Sequence, residues 1–414
     1  MAPRFDLLLQ DCRFPDGRLA DVGTHEGRVA EIGALAVRPA QQTVECGGRL
    51  LTPGLVDAHI HLDKALLSER TPSIEGTVAE ALRVTGHAKR RFTVEDVRVR
   101  ARRALDLAVR AGTTAMRSHV EVDPIVGLKA LEALIPLKRE YAPAIDLQLC
   151  AFAQEGILQS PGTEALLARA LESGADLIGG CPYNDTDAHA HIDIVFRLAR
   201  EFDVDVDFHI DFFDEPEHMD VLYVAEQAAR WGWQGRVAVG HASELAALEP
   251  DEFDRTAAIL KDAGIGVIIL PATDLYLMGR KDVRNVRRGL APAKRLLAAG
   301  VTVAVATNNI LNAFTPMGTG DLALMGYLMT AAAHMGTERD VADILAMLTE
   351  YPARMLRLPE HGLRVGARAD LVLWETERAA EAVTTMAPRR LVVKAGRLSL
   401  QHERTCTEFW RGGS

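Results

Sequence analysis

His59 and His61 flank a single isoleucine at the end of an apolar run, LVDAHIH, over residues 55–61. In a strand, residues two apart face the same side, so both imidazoles would enter one space and could share a cation. An HxH pair alone is weak evidence, because two such rings are equally well satisfied by backbone or water. Two further histidines shift the balance. His209 lies near the end of a second run, DVDFHID (205–211), and His241 ends a third, RVAVGH (236–241). Buried imidazoles need partners, and four of them at strand ends point to a metal. Imidazole nitrogen suits Zn²⁺ or Fe²⁺, whereas Mg²⁺ and Ca²⁺ favour carboxylates.

The elements that must position these rings recur along the chain. Short apolar runs bounded by Gly, Pro or Asp occur at 55–61, 113–120, 146–153, 175–181, 205–211, 236–241, 266–272 and 302–307. Between them lie stretches such as TVEDVRVRARRALDLAVRAG, whose apolar residues return at three and four. Strands that read as almost continuously apolar are covered on both faces, and alternation with amphipathic helices predicts a (β/α)8 TIM-type barrel over 53–361. The four histidines then stand at its C-terminal mouth, where active sites of this architecture lie. Residues 1–52 and 362–414 instead alternate with turn signals, which predicts a small β-sandwich domain formed by both chain termini.

Composition narrows the partners. Over 414 residues, 47 Lys and Arg against 57 Asp and Glu leave a net charge of −10, which repels phosphate backbones and anionic lipid, so neither nucleic acid nor a membrane is expected. The five cysteines, Cys12, Cys46, Cys150, Cys181 and Cys406, show no CxxC spacing and suggest a reducing compartment. The opening MAPRFDLLLQDCRF lacks a secretory apolar core and no run of about 18 apolar residues appears, so a cytoplasmic location is expected.

The run PGLVDAHIHLDKALL resembles the first metal motif of the amidohydrolase superfamily. Later stretches resemble its cytosine deaminase-like branch: AFAQEGI (151–157), HID (209–211), GHAS (240–243), LMGR (277–280), RRGLAPAKRLLAAGVTV (287–303) and FTPMGTGD (314–321). The resemblance implies a barrel with a β-sandwich from both chain ends. It implies that His59, His61 and His209 hold one divalent ion, Zn or Fe, and that His241 hydrogen-bonds the metal-bound water. It also implies that Gln154 meets the amide edge of a heterocycle. Such an ion lowers the pKa of water toward about 7, giving hydroxide that attacks a carbon bearing nitrogen. No lysine ends strand four, in ADLIGGCPY, to bridge two ions, which implies a mononuclear site. Relatives of this kind often form oligomers, so a homo-oligomer is expected by analogy.

Two departures stand out. Where the family has a strand-eight aspartate that takes a proton from the water, the chain reads AVATNNI, with Asn308 and Asn309. A neutral amide cannot be that base, although the Asn308 carbonyl can still be a weak ligand. Where deaminases of the branch follow HxD with a glutamate that protonates a ring nitrogen, the chain has Phe212. Asp211 is expected to orient His209 by accepting its other ring N–H. Asp211, Asp214 or Glu215 becomes the substitute base if one reaches the water; His241 is the other candidate, since an ordinary histidine pKa near about 6.5 suits proton transfer.

Other residues have two readings. Lys64 either points an ammonium at an anionic or carbonyl-rich substrate or forms a rim ion pair with Asp63 or another carboxylate. His119 and Glu121 either contact substrate or pair together. Cys181 reads as a packed hydrophobe, and Asp274 either lines the pocket or, as the preferred reading, caps the next helix. In the basic stretch 89–103, Thr93 and Asp96 read as a helix start with the charges on a solvated face.

The expected function is a metal-dependent amidohydrolase that hydrolyses a C–N bond of a small cyclic amide, imide or amidine. One alternative is an aminohydrolase of a pyrimidine, pterin or triazine. A second is a non-catalytic small-molecule-binding barrel that lost its acid and base.

Overall fold

The computed structural model describes residues 4–403; Cys406 and the outermost parts of the terminal segments, 1–3 and 404–414, lie outside the described residues. Eight parallel strands, Leu55–Ile60, Thr113–Glu121, Asp146–Ala153, Leu177–Gly180, Asp205–Ile210, Val237–His241, Gly266–Ile269 and Val303–Val305, pair in chain order. Closure comes from Asn308: its N–H donates to the His59 carbonyl (2.8 Å) and its carbonyl accepts from His61 N–H (2.9 Å), joining the last strand to the first. Every expected apolar run coincides with a strand, the second of which extends one residue further, to Glu121. The seventh stops at Ile269, short of the expected 272, because Pro271 opens the helix Pro271–Leu277; proline at the first helical position is favoured by its fixed φ and missing donor.

The covering helices follow the apolar periodicity. Val94–Arg110 starts where Thr93 accepts the Asp96 N–H (3.1 Å), and it buries Val97, Ala101, Ala104, Leu105 and Ala108 along one stripe. The solvated reading of 89–103 fails at two positions. Arg100 turns inward to donate to the Asp63 and Ala65 carbonyls (2.8 Å each), and Lys89 is fully buried. Periodicity assigns a face but does not show a buried carbonyl or carboxylate beneath it.

The chain ends form two four-stranded sheets. One is ordered Arg28–Gly33, Leu19–His25, Phe5–Arg13, Ala40–Glu45; the other is Arg397–Gln401, Arg389–Lys394, Leu371–Trp374, Leu51–Pro53. Leu7, Leu9 and Val22 of the first meet Leu51, Leu371 and Val393 of the second in one core, which makes the sandwich. Among the described residues, no helix is long and apolar enough to cross a membrane.

Strand alternation also fills the barrel interior. Along Thr113–Glu121 the inward residues are Arg117, His119 and Glu121, from floor to mouth, all buried. Arg117 Nη1 meets Asp207 Oδ2 at 2.8 Å, and its other nitrogens reach Gln148 Oε1 and the Met355 carbonyl. Replacing Arg117 with Met would leave the Asp207 carboxylate buried beside His119 alone. The expected cost is about 3–5 kcal/mol, the usual result of orphaning a buried charge. Chemical denaturation of Arg117→Met against wild type checks it, and a change under about 1 kcal/mol would contradict this account.

Candidate active site

Leu55–Ile60 carries His59 inward, His61 follows one residue beyond it, and Asp205–Ile210 brings His209 opposite. The three Nε2 atoms converge: His59 to His209 is 3.0 Å and His61 to His209 is 3.0 Å. Gly240 makes the approach feasible, since a Cβ there would stand 2.8 Å from the His59 ring. Burial, then repulsion from neighbouring imidazoles and, at His59 and His61, from Lys64, holds all three well below the ordinary histidine value, so each keeps a free lone pair. A neutral His209 Nε2 is a single donor or a single acceptor and cannot fully satisfy both neighbours at once. Nitrogens each about 2.0–2.1 Å from one ion would stand at close to that separation, so the donor set fits a single divalent cation.

His241, at the end of Val237–His241, faces the same space, with ring centroids 5.7 Å from His209 and 6.1 Å from His59. Its Nδ1 meets Asp274 Oδ1 at 2.6 Å. This corrects the expected cap role of Asp274. The residue lies within Pro271–Leu277, not before a helix, and although Oδ2 accepts the Leu270 N–H (3.3 Å), its closest partner is the histidine. Burial pushes the Asp274 carboxyl up, and His241 opposes that. A carboxylate accepting from Nδ1 fixes the tautomer with the lone pair on Nε2.

Asn308 sits on the barrel seam with φ +58°, a conformation that asparagine tolerates better than most residues. Its Nδ2 donates to Thr273 Oγ1 (3.0 Å), and its buried Oδ1 has no protein partner. Such an oxygen is an acceptor or weak ligand held ready at the mouth. Asp211 (φ +49°) and His241 (φ +73°) share the left-handed conformation at their strand ends, a cluster of costly backbone typical of functional sites.

Asp211 does not orient His209. Its left-handed backbone turns the carboxylate away, to accept the Asp220 (2.8 Å) and Val221 (3.2 Å) N–H groups at the start of Asp220–Trp231, and His209 Nδ1 has no partner. Burial and the nearby Glu244 push the Asp211 carboxyl well up, the two N–H groups it accepts oppose that, and with its oxygens engaged at the helix start it does not reach the rings. Asp214 accepts the Gly279 N–H and Glu215 pairs with Arg287, so neither reaches the rings. His119 and Glu121 do not pair together: His119 lies under His59 (centroids 4.0 Å) with Nε2 3.3 Å from Asp207, while Glu121 meets Lys64 and Lys89.

The pocket wall holds Lys64, Gln154, Phe212, Asn308 and Phe314 beside His61, His209 and His241. Lys64 fits the ion-pair reading, Nζ meeting Glu121 (2.9 Å) and not Asp63, and it also borders the cavity. Gln154 accepts from Lys64 Nζ (3.1 Å) and donates to Cys181 Sγ (3.4 Å); burial pushes that thiol up to about 12, as befits a packed group. Phe212 packs on His241 with centroids 3.8 Å apart. The sequence reading missed Tyr183 and Thr273, which also line the cavity; their places follow strands four and seven, a positional signal that was available. Helix Val78–Ala88 roofs the site by packing Val78, Ala81 and Leu82 against Phe212, Met278 and Phe314. The space left between these side chains is about 10 Å³, room for about one water.

A family model described as Amidohydrolase family matches residues 42–399, so the chain belongs to the amidohydrolase family and is by class a metal-dependent hydrolase of carbon–nitrogen bonds. It is 29% identical over 97% of its length to N-isopropylammelide isopropyl amidohydrolase of Pseudomonas sp. (strain ADP), covering 99% of that protein. It is 27% identical to a pterin deaminase of Rhizobium rhizogenes, covering 92% of this chain and 87% of that one. In structure it resembles 5-methylcytosine deaminase from Klebsiella pneumoniae liganded with 5-fluorocytosine, with a TM-score of 0.92, 30% identity, and coverage of 97% and 99%.

Proposed function

We propose that the protein is a cytoplasmic hydrolase that cleaves a C–N bond of a small cyclic amide, imide or amidine, using one Zn²⁺ or Fe²⁺ held by His59, His61 and His209. The carrying observation is the convergence of three neutral Nε2 atoms beside the His241–Asp274 pair. When bound, the ion supplies water of lowered pKa. The chain's own residues handle the rest. His241 Nε2, its tautomer set by Asp274, takes the proton that the family's strand-eight aspartate would take and returns it to the leaving nitrogen. Asn308 Oδ1 accepts a hydrogen bond from the attacking water or the substrate. Gln154 reads the amide edge, and Phe212 keeps the opposite wall apolar, which favours ring or amide cleavage over protonation of a ring nitrogen. The relatives named above, which are described as acting on N-heterocycles, support a small heterocyclic substrate.

The test is a panel of cyclic imides, cyclic amides and aminated heterocycles, with ring-opened acid and released ammonia both measured. About one bound metal per chain and a ring-opened product are expected, and chelation should cut the rate by about 100-fold or more, restored by adding back Zn²⁺ or Fe²⁺. Ammonia from an aminated ring would replace this reading with a deaminase. Full activity in metal-free buffer, or no stoichiometric ion, would overturn it.

A further inference from the structure

Among the residues lining the pocket, Lys64 is the one with a permanent charge, and none is a carboxylate. Lys64 Nζ has three N–H donors. One goes to Glu121 Oε1 (2.9 Å) and one to Gln154 Oε1 (3.1 Å), leaving the third for the cavity, where the ammonium stands 4.6 Å from the Phe314 ring centre. What prevents Glu121 from drawing that donor back lies one layer further out. Lys89 opens the short turn Lys89–Arg91 that follows the roof helix Val78–Ala88. It is fully buried, and its ammonium meets Asp123 Oδ2 (2.6 Å), Glu155 Oε1 (2.6 Å) and Glu121 Oε2 (3.0 Å). These three carboxylates offer oxygens within 4.8 Å of one another, close enough for a cation, and Lys89 supplies that positive charge from within the chain. Asp63 adds a further carboxylate, accepting the Glu121 N–H at 2.9 Å. Without Lys89, Glu121, Asp123 and Glu155 would lose the cation they share, and the third N–H of Lys64 would turn toward Glu121.

We propose that Lys89 is a positioning residue which, through Glu121, keeps the Lys64 ammonium turned into the pocket. The pocket then selects planar heterocycles presenting a carbonyl or ionised imide oxygen at that edge over those presenting an exocyclic amine. Two donors cannot satisfy one another, so an amine facing Lys64 leaves both unpaired, while an oxygen accepts. Burial alone would push the Glu121 carboxyl up; Lys64 and Lys89 together hold it at about 2, so the link stays ionised. This selectivity rests on the hydrolase reading above and names the substrate class of the same site.

The test is calorimetric binding of barbiturate, an anionic cyclic imide at neutral pH, and of 4-aminopyrimidine, an uncharged aminated ring with no carbonyl, to the metal-loaded protein. Wild type is expected to prefer barbiturate by about tenfold or more, the effect of one charge-assisted hydrogen bond. Lys89→Met should reduce that preference to within about threefold with bound metal retained, and Lys89→Arg should keep most of it. Glu121→Asp keeps the charge but withdraws it from both lysines, and it should lower the preference by at least about threefold; it decides the matter if Lys89→Met does not fold. Absence of any preference in wild type, or an undiminished preference in Lys89→Met or Glu121→Asp, would overturn the proposal. Failure of the hydrolase reading would show separately, in metal content and chelation.

Discussion

His209→Ala is expected to lose about 10³-fold or more in kcat/KM, together with its bound metal, while remaining folded. The activity loss follows from position. His209 Nε2 is the atom 3.0 Å from both His59 and His61, so removing it leaves the other two without the nitrogen that completes the donor set. The cation's contribution to lowering a water pKa disappears with it. Retention of the fold follows from the same geometry, because a buried neutral ring whose Nδ1 has no protein partner adds little to the metal-free protein. The main packing loss is the Phe152 ring, stacked at 4.9 Å. A ligand that binds only the folded state stabilises it by an amount that grows with the logarithm of its concentration over Kd, so added Zn²⁺ should raise the melting temperature of wild type and leave His209→Ala unmoved. Elemental analysis and thermal melts with and without metal check this. A variant that retains both its ion and its rate would remove His209 from the centre.

Much of this arrangement is legible in the amino-acid order because period-two alternation is a property of the strand itself. His59 and His61 in LVDAHIH, and the inward series Arg117, His119 and Glu121, need no knowledge of the rest of the fold to be placed on one side. The seam is less legible: AVATNNI marks Asn308 as a departure, but not that its backbone closes the barrel. Asp211 illustrates why the reading stops there. Its spacing from His209 matches a supporting carboxylate, yet one left-handed φ turns it toward the N-terminus of Asp220–Trp231, and a non-glycine residue rarely announces that conformation in sequence. Lys89 was hidden for another reason. It stands among arginines that do reach solvent, and the three carboxylates that bury it come from residues 121, 123 and 155, separations that local periodicity does not encode.

Asp274 shows the same long-range limit, lying 33 residues from the histidine it meets, and it carries the second large expectation. Asp274→Asn should lower kcat by about 10²- to 10⁴-fold while leaving metal content at the wild-type level. An amide can hold His241 Nδ1 through its Nδ2–H as readily as through its oxygen, and the former places the ring proton on Nε2, the tautomer that cannot accept one. Among the described residues, the other candidate carboxylates are not placed to take over: Asp211 caps a helix, Asp214 and Glu215 are engaged elsewhere, and the strand-eight position holds Asn308. His59, His61 and His209 do not contact Asp274 through any hydrogen bond, so the donor set should survive the substitution. Steady-state rates with the best compound of the panel, alongside elemental analysis, separate the two effects. Loss of the ion in parallel with the rate would make Asp274 a support of the metal set, and an unchanged kcat would show that proton transfer does not pass through His241.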